Sequence, residues 1–191
     1  MGGLTLVLGG IRSGKSRLAE RLATQIGGDA VVYLATATAS DAEMTARITY
    51  HCARRPATWR TVEAPTGLTA ALEWLDPAPS AVLLEDLGLL LSNLLLATDD
   101  NAPRTPDDVE AALEAELTIL LAWQAATGAR LIVVSNEVGL APVPLTPLGR
   151  AFADILCRAN QRLAAAADQA YLVVAGLPLD LTRLRATLPG D

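Results

Sequence analysis

Apolar positions along the chain fall into two alternating rhythms. Short, largely apolar runs occur at Leu4 to Leu8, Ala30 to Thr36, Ala81 to Leu84, Arg130 to Ser135 and Ala170 to Ala175. Their continuous character suits strands of a parallel sheet covered on both faces. Between them the spacing lengthens to that of amphipathic helices. Leu18, Leu22 and Ile26 share one face, with Ala19 and Ala23 beside them, and Gly27-Gly28 ends that helix. Ser40 and Glu43 form an S-x-x-E capping pattern for a second helix, which runs to about Arg54 and stops before Pro56. Thr58 to Glu63 is a short extended segment. Thr66 and Gly67 precede a short helix through Leu75, and Asp76 to Pro79 is a turn.

Leu87 to Ala97 is a strongly apolar helix with Ser92 and Asn93 as polar exceptions. Thr98 to Pro106 reads as the longest loop. A long helix follows from Pro106 to Thr127, stopped by Gly128, and another from Leu148 to Ala167 after a proline-rich loop at Pro142 to Pro147. Repeated strand-then-helix order implies an α/β fold with a mainly parallel sheet flanked by helices. Ala170 to Ala175 is the last clear strand. The 191 residues suit a single domain spanning 1–191.

The junction of the first strand and helix carries chemistry. Gly9-Gly10-Ile11-Arg12-Ser13-Gly14-Lys15-Ser16 fits G-x-x-x-x-G-K-S in the strand–loop–helix setting that makes it a phosphate loop. Its glycines let backbone N–H groups converge on an anion at a helix N-terminus. Lys15 reaches the β- and γ-phosphates, and the Ser16 hydroxyl suits Mg²⁺. The fold class is therefore a P-loop NTPase, of the RecA-like kind. An apolar strand ending in Glu85-Asp86 has the form of the second Mg²⁺ element of such proteins, through either acid. Ligands in these sheets gather at the carboxyl ends of the strands. The loop, Thr36 to Ser40, Glu85-Asp86 and Ser135-Asn136-Glu137 all fall there.

Arg47, His51 and Arg54 lie on one stripe of the second helix. The stripe could line phosphates, but spacing alone favours a solvated basic face.

Composition narrows the reading. Apolar residues make up 51% and charged residues 19%, as in a compact globule. A net charge of −6 argues against a broad nucleic-acid footprint, so phosphate binding must be local. Of the 15 basic residues only Lys15 is lysine, and His51 is the one histidine. Cys52 and Cys157 lack metal-ligand spacing and read as reduced thiols of a cytosolic protein. No apolar stretch reaches the length of a membrane span, and the N-terminus runs straight into the first strand, so neither a span nor a secretory leader is expected.

With these residues in place, the chain resembles the bifunctional adenosylcobinamide kinase/adenosylcobinamide-phosphate guanylyltransferases of cobalamin synthesis. The resemblance runs through the phosphate loop, Tyr33-Leu34-Ala35-Thr36-Ala37, Asp41 to Met44, Arg47-Ile48, His51, Arg55-Pro56, Trp59 and Thr61-Val62-Glu63. It continues through Leu83-Leu84-Glu85, Ser92 to Leu95, Ser135 to Gly139, Leu148-Gly149-Arg150 and Asn160 to Ala164. It implies two reactions. ATP or GTP phosphorylates the aminopropanol hydroxyl of adenosylcobinamide, and GTP then transfers GMP through a histidine to that phosphate, giving adenosylcobinamide-GDP. The family histidine precedes an Arg-Pro pair, which here makes it His51 and reverses the solvated-face reading. The resemblance further implies a nucleotide site including Arg47, Arg54, Glu63 and Glu85, Mg²⁺ near Ser16 and Glu85, and a homotrimer.

Some positions depart from the pattern. Glu85-Asp86 stands where the family often has a carboxylate followed by cysteine, and Ala141 to Pro144, Ala153 and Cys157 also differ. Two other functions fit the loop: a small-molecule kinase without guanylyl transfer, and a GTP-binding module without turnover. The second usually carries Asn-Lys-x-Asp, whereas the comparable strand end reads Asn136-Glu137-Val138-Gly139.

Overall fold

A computed structural model describes residues 2–39, 41–99 and 102–186, with Glu43, Arg47, Asp99 and Ala102 given by backbone alone. The chain opens with β1 (Leu4–Gly9), α1 (Lys15–Gly27), β2 (Val31–Ala35), α2 (Ala42–Arg54), β3 (Arg60–Glu63), α3 (Leu68–Glu73), β4 (Ala81–Glu85) and α4 (Leu87–Leu96). A two-residue pair, β5 (Thr98–Asp99) with β6 (Ala102–Pro103), leads to α5 (Pro106–Thr127) and β7 (Arg130–Asn136). Then come α6 (Pro147–Ala166), β8 (Gln169–Val174), β9 (Leu177–Asp180) and α7 (Leu181–Leu184).

Seven strands form one sheet in the order β3-β2-β4-β7-β1-β8-β9, parallel throughout except for β8 with β9. One strand, β7, separates the loop strand β1 from the acid-bearing strand β4. The alternation of side chains along each strand divides the core. Leu6, Leu34, Leu84 and Val133 face the leucines of α4, α5 and α6. Val7, Tyr33, Leu83 and Ile132 face α1.

α1 meets the sheet through Ala19 and Ala23, both without exposed surface, while Leu18, Leu22 and Ile26 are only partly buried. The apolar stripe expected from the leucines is thus rotated. Small alanines allow the helix close to the strands, and the larger side chains splay around the contact.

Three other details differ from the sequence pattern. Asp41 caps α2, accepting from the Met44 N–H at 2.7 Å; Ser40, the expected cap, lies outside the described residues. The expected loop at Thr98 to Pro106 contains the β5–β6 ladder. The sheet also continues past Ala175. Ala175 and Gly176 both take positive φ, 50° and 83°, as a two-residue hairpin turn requires, and return the chain as β9. Pro178 in that strand obscured it, and is tolerated because β9 is an edge. α5 starts and stops where expected, with a Thr105–Asp108 capping box and Gly128 at its end. Among the described residues, no helix is long and apolar enough to cross a membrane.

Candidate active site

The carboxyl ends of β1, β2, β3, β4 and β7 gather the polar groups. After β1 the chain turns through Gly10 to Gly14. The Ser13 N–H donates to the Gly10 carbonyl at 3.2 Å, and the Gly176 N–H ties the Ser13 carbonyl to the β8–β9 turn at 2.8 Å. Gly14 has φ of 97°, which other residues rarely adopt, and a Cβ on Gly9 would stand 2.4 Å from Ser13 Oγ. Those two positions are closed to side chains by geometry. Ile11 and Arg12 ride on the exposed outside of the loop. Lys15, the first residue of α1, is buried, and its Nζ donates to the Gly10 carbonyl at 3.4 Å, so the ammonium lies across the loop's mouth.

The next residue couples this loop to β4. The Glu85 carboxylate is 7% exposed, and its Oε2 is buried without a hydrogen-bond partner among the described residues. Burial pushes its pKa up to about 7, with the nearby Ser16 hydroxyl opposing. Asp86 does a different job. Its Oδ1 accepts from the Leu89 N–H at 2.7 Å as the N-cap of α4, and its carbonyl accepts from the Thr36 hydroxyl at 2.8 Å. The two adjacent acids therefore separate into one short of partners and one that caps a helix.

Glu85 and Asp86 also form part of the wall of a cavity of about 330 Å³, together with Tyr33, His51, Arg55 and Glu63. The structure thus brings His51, Glu63 and Glu85 around one space, whose lining includes no residue of the phosphate loop. Arg54 takes a different direction. Its Nη2 bonds Glu20 Oε2 on α1 at 2.6 Å, rather than lining the cavity. The side chain of Arg47 lies outside the described residues. No group of three His, Cys, Asp or Glu among the described residues could enclose a metal ion. A cation here would depend on Ser16, Glu85 and the ligand itself.

Several contributors escape a reading of the sequence. Arg55 follows α2 and packs over the Tyr33 ring, 3.7 Å from its centroid. It also donates to the His51 carbonyl at 3.2 Å and to the Thr61 hydroxyl at 3.1 Å, tethering the end of α2 to β2 and β3. Asn93 donates to the carbonyls of Thr36 and Pro65, both at 2.8 Å, joining the loops after β2 and β3. Glu20 is the least visible from sequence. Its one signal is an acid beside the alanines of an α1 face that turns out to be buried. Burial pushes its pKa up, with Arg54, Arg55 and Arg17 opposing.

With this geometry established, comparison with known proteins is specific. The family model described as cobinamide kinase / cobinamide phosphate guanyltransferase matches residues 5–181. The chain is 45% identical over 176 residues to the bifunctional adenosylcobalamin biosynthesis protein CobP of Pseudomonas aeruginosa, covering 92% of this chain and 95% of that one. It is 46% identical over 180 residues to the bifunctional adenosylcobalamin biosynthesis protein CobU of Salmonella typhimurium, covering 91% and 97%. Solved structures give looser likenesses. The P4 protein from bacteriophage phi6 in complex with ADP has a TM-score of 0.45 at 16% identity, over 93% of this chain and 54% of that one. The flagellar accessory protein FlaH from Methanocaldococcus jannaschii has a TM-score of 0.44 at 14% identity, over 93% and 75%. By the extent of the family match and the identity to its relatives, the chain belongs to the cobinamide kinase / cobinamide phosphate guanyltransferase family.

Proposed function

We propose that this chain phosphorylates adenosylcobinamide with ATP or GTP, and then transfers GMP from GTP through His51 to the new phosphate, giving adenosylcobinamide-GDP. The observation that carries this reading is the shared cavity. His51 and Glu85 line it together, and Ser16 of the phosphate loop is near enough to Glu85 to lower its pKa.

In the first reaction the loop amides and Lys15 hold the triphosphate and stabilise charge on the transferring phosphoryl group. No protein nucleophile is needed. In the second, the α-phosphorus must come to His51, and the covalent step divides one transfer into two. A neutral imidazole nitrogen is a competent nucleophile near neutral pH. Glu63, at the end of β3, lines the same cavity, which supports its assignment to the nucleotide site.

Mg²⁺ belongs to this chemistry, and the residues fit it. The buried, unpartnered Oε2 of Glu85 and the adjacent Ser16 hydroxyl are hard oxygen donors of the kind Mg²⁺ takes alongside phosphates. Bound there, it would neutralise phosphate charge. Glu85 rather than Asp86 is its carboxylate, since Asp86 is engaged as a helix cap. A cytoplasmic homotrimer accords with the resemblance of the sequence to this family.

The test is a two-stage assay on the purified chain. With adenosylcobinamide, Mg²⁺ and ATP alone, the product expected by chromatography is the monophosphate. Addition of GTP should convert it to adenosylcobinamide-GDP with release of pyrophosphate. Formation of the monophosphate without conversion would contradict the second half of the reading.

A further inference from the structure

Glu20 has no part in the two reactions as described, yet it is an acid with only 9% of its surface exposed. A carboxylate in such a place is costly unless its oxygens are satisfied. Oε2 is satisfied by Arg54 Nη2 at 2.6 Å. Oε1 is buried and has no hydrogen-bond partner among the described residues, and it lies 3.9 Å from His51 Nδ1. Arg54 and His51 stand on neighbouring turns of α2, so one helix approaches both oxygens of one carboxylate.

The ring's own orientation agrees. Nδ1 has almost no accessible surface, whereas the His51 side chain as a whole keeps 20% exposure. The open part of the ring is therefore away from Nδ1, and the ring lines the cavity. A separation of 3.9 Å is longer than a hydrogen bond, but catalytic hydrogen bonds are often long until substrate tightens the site.

We propose that Glu20 is a positioning residue for His51: it holds the imidazole proton on Nδ1 and leaves Nε2 as the attacking nitrogen. The inference rests on the reading of His51 as the carrier of GMP. Hydrogen-bonding one ring nitrogen to a carboxylate fixes which nitrogen is free. In the first step the Nε2 lone pair forms a bond to the α-phosphorus of GTP. The bond from that phosphorus to the bridging oxygen of the β-phosphate breaks, and pyrophosphate leaves with its electron pair. The ring, still protonated at Nδ1, becomes cationic, and the Glu20 carboxylate stabilises that charge. In the second step a phosphate oxygen of adenosylcobinamide phosphate attacks the α-phosphorus, and the N–P electrons return to a neutral His51. Arg54 supports the arrangement by fixing the carboxylate.

His51 is the only histidine, so its two ring nitrogens can be observed in the intact chain labelled with ¹⁵N-histidine. The experiment compares wild type, Glu20→Gln and Glu20→Ala by long-range ¹H–¹⁵N NMR of the imidazole. In parallel, single-turnover incorporation of label from α-³²P-GTP is followed in the presence of Mg²⁺. Wild type should hold its proton mainly on Nδ1. Both variants should shift toward protonation at Nε2 and form the adduct about ten- to a hundredfold more slowly. The near-isosteric Glu20→Gln keeps the volume of the buried site, and the wild-type tautomer stands as a test independent of either variant's folding. Protonation of wild-type His51 at Nε2, or adduct formation at the wild-type rate in both variants, overturns the role of Glu20 while leaving His51 as carrier. A wild-type chain that forms no adduct overturns the carrier reading, and the role of Glu20 with it.

Discussion

The phosphate loop and α2 serve the same site but are built in opposite ways. From β1 into α1 the chain is held by packing: β1 is buried along its whole length, and α1 buries Lys15, Ala19, Glu20 and Ala23. α2 has no fully buried side chain among those described. It is held by polar ties instead, Arg54 to Glu20 and Arg55 to Tyr33 and Thr61. On the proposed reading, the loop that positions a triphosphate in both reactions is anchored between a buried strand and a buried helix face. The helix proposed to carry the nucleophile of only one reaction lies on the surface, held by a few polar side chains. Packing fixes a position to fractions of an ångström, whereas a helix with few buried apolar contacts of its own sits at the low end of local stability. The difference predicts that damage to the loop removes both activities and damage to α2 divides them.

The largest effect should come from the loop. Lys15→Ala removes the one cation buried at its mouth and should lower both phosphorylation and guanylyl transfer, by about a hundredfold or more in kcat. Near-normal phosphorylation of adenosylcobinamide by this variant would place the reaction elsewhere. His51→Ala comes next and should split the activities. Guanylyl transfer should vanish, while phosphorylation keeps the larger part of its rate, because phosphoryl transfer to a hydroxyl depends on positioning and charge rather than on a protein nucleophile. Equal loss of both activities would break the contrast between loop and helix.

Two smaller effects separate the adjacent acids. The Glu85 carboxyl titrates at about 7 in the folded chain, well above an unfolded glutamate. Between those two values the folded state holds more protons than the unfolded, so this group's contribution to stability falls as pH rises toward about 7 and is constant above. Glu85→Gln should therefore be more stable than wild type without ligand at about pH 8, by roughly 1–3 kcal/mol, with most of the advantage lost by about pH 4. Thermal unfolding at the two pH values measures this. The same variant should raise the Mg²⁺ concentration needed for both reactions. Asp86→Ala should do the reverse, costing about 1 kcal/mol through the lost α4 cap and changing the Mg²⁺ requirement little. A larger shift in Mg²⁺ dependence for Asp86→Ala than for Glu85→Gln would exchange their roles.

The same contrast explains what could be read from sequence. The phosphate loop is a local object: strand, glycines, lysine and helix are consecutive, so residues 4 to 16 announce it. The sheet follows from short apolar runs, and the ends of α5 from Pro106 and Gly128. α2 shows its extent and its Arg-His-Arg stripe, but not its Asp41 cap or what that stripe meets. The Glu20–Arg54 pair joins side chains from two helices separated by β2, and no periodicity records such a contact. From spacing Arg54 reads as part of a solvated face, and from the family resemblance as part of the nucleotide site; in the structure its guanidinium bonds Glu20. The centre of the buried face of α1 falls on Ala19 and Ala23 rather than on the leucines for a related reason. Leucines give the stronger apolar signal, but alanines make the closest approach to a sheet. The β9 hairpin was hidden by Pro178 and by a turn whose positive φ falls on an alanine.

The most direct test of the account is the identity of the residue that carries GMP. The intact chain is incubated with Mg²⁺ and α-³²P-GTP, denatured, digested and mapped by mass spectrometry. The account predicts one GMP per chain, on His51, through a phosphorus–nitrogen bond that is labile to acid and stable to alkali. An alkali-labile adduct, or one on Lys15 or a serine, would contradict it.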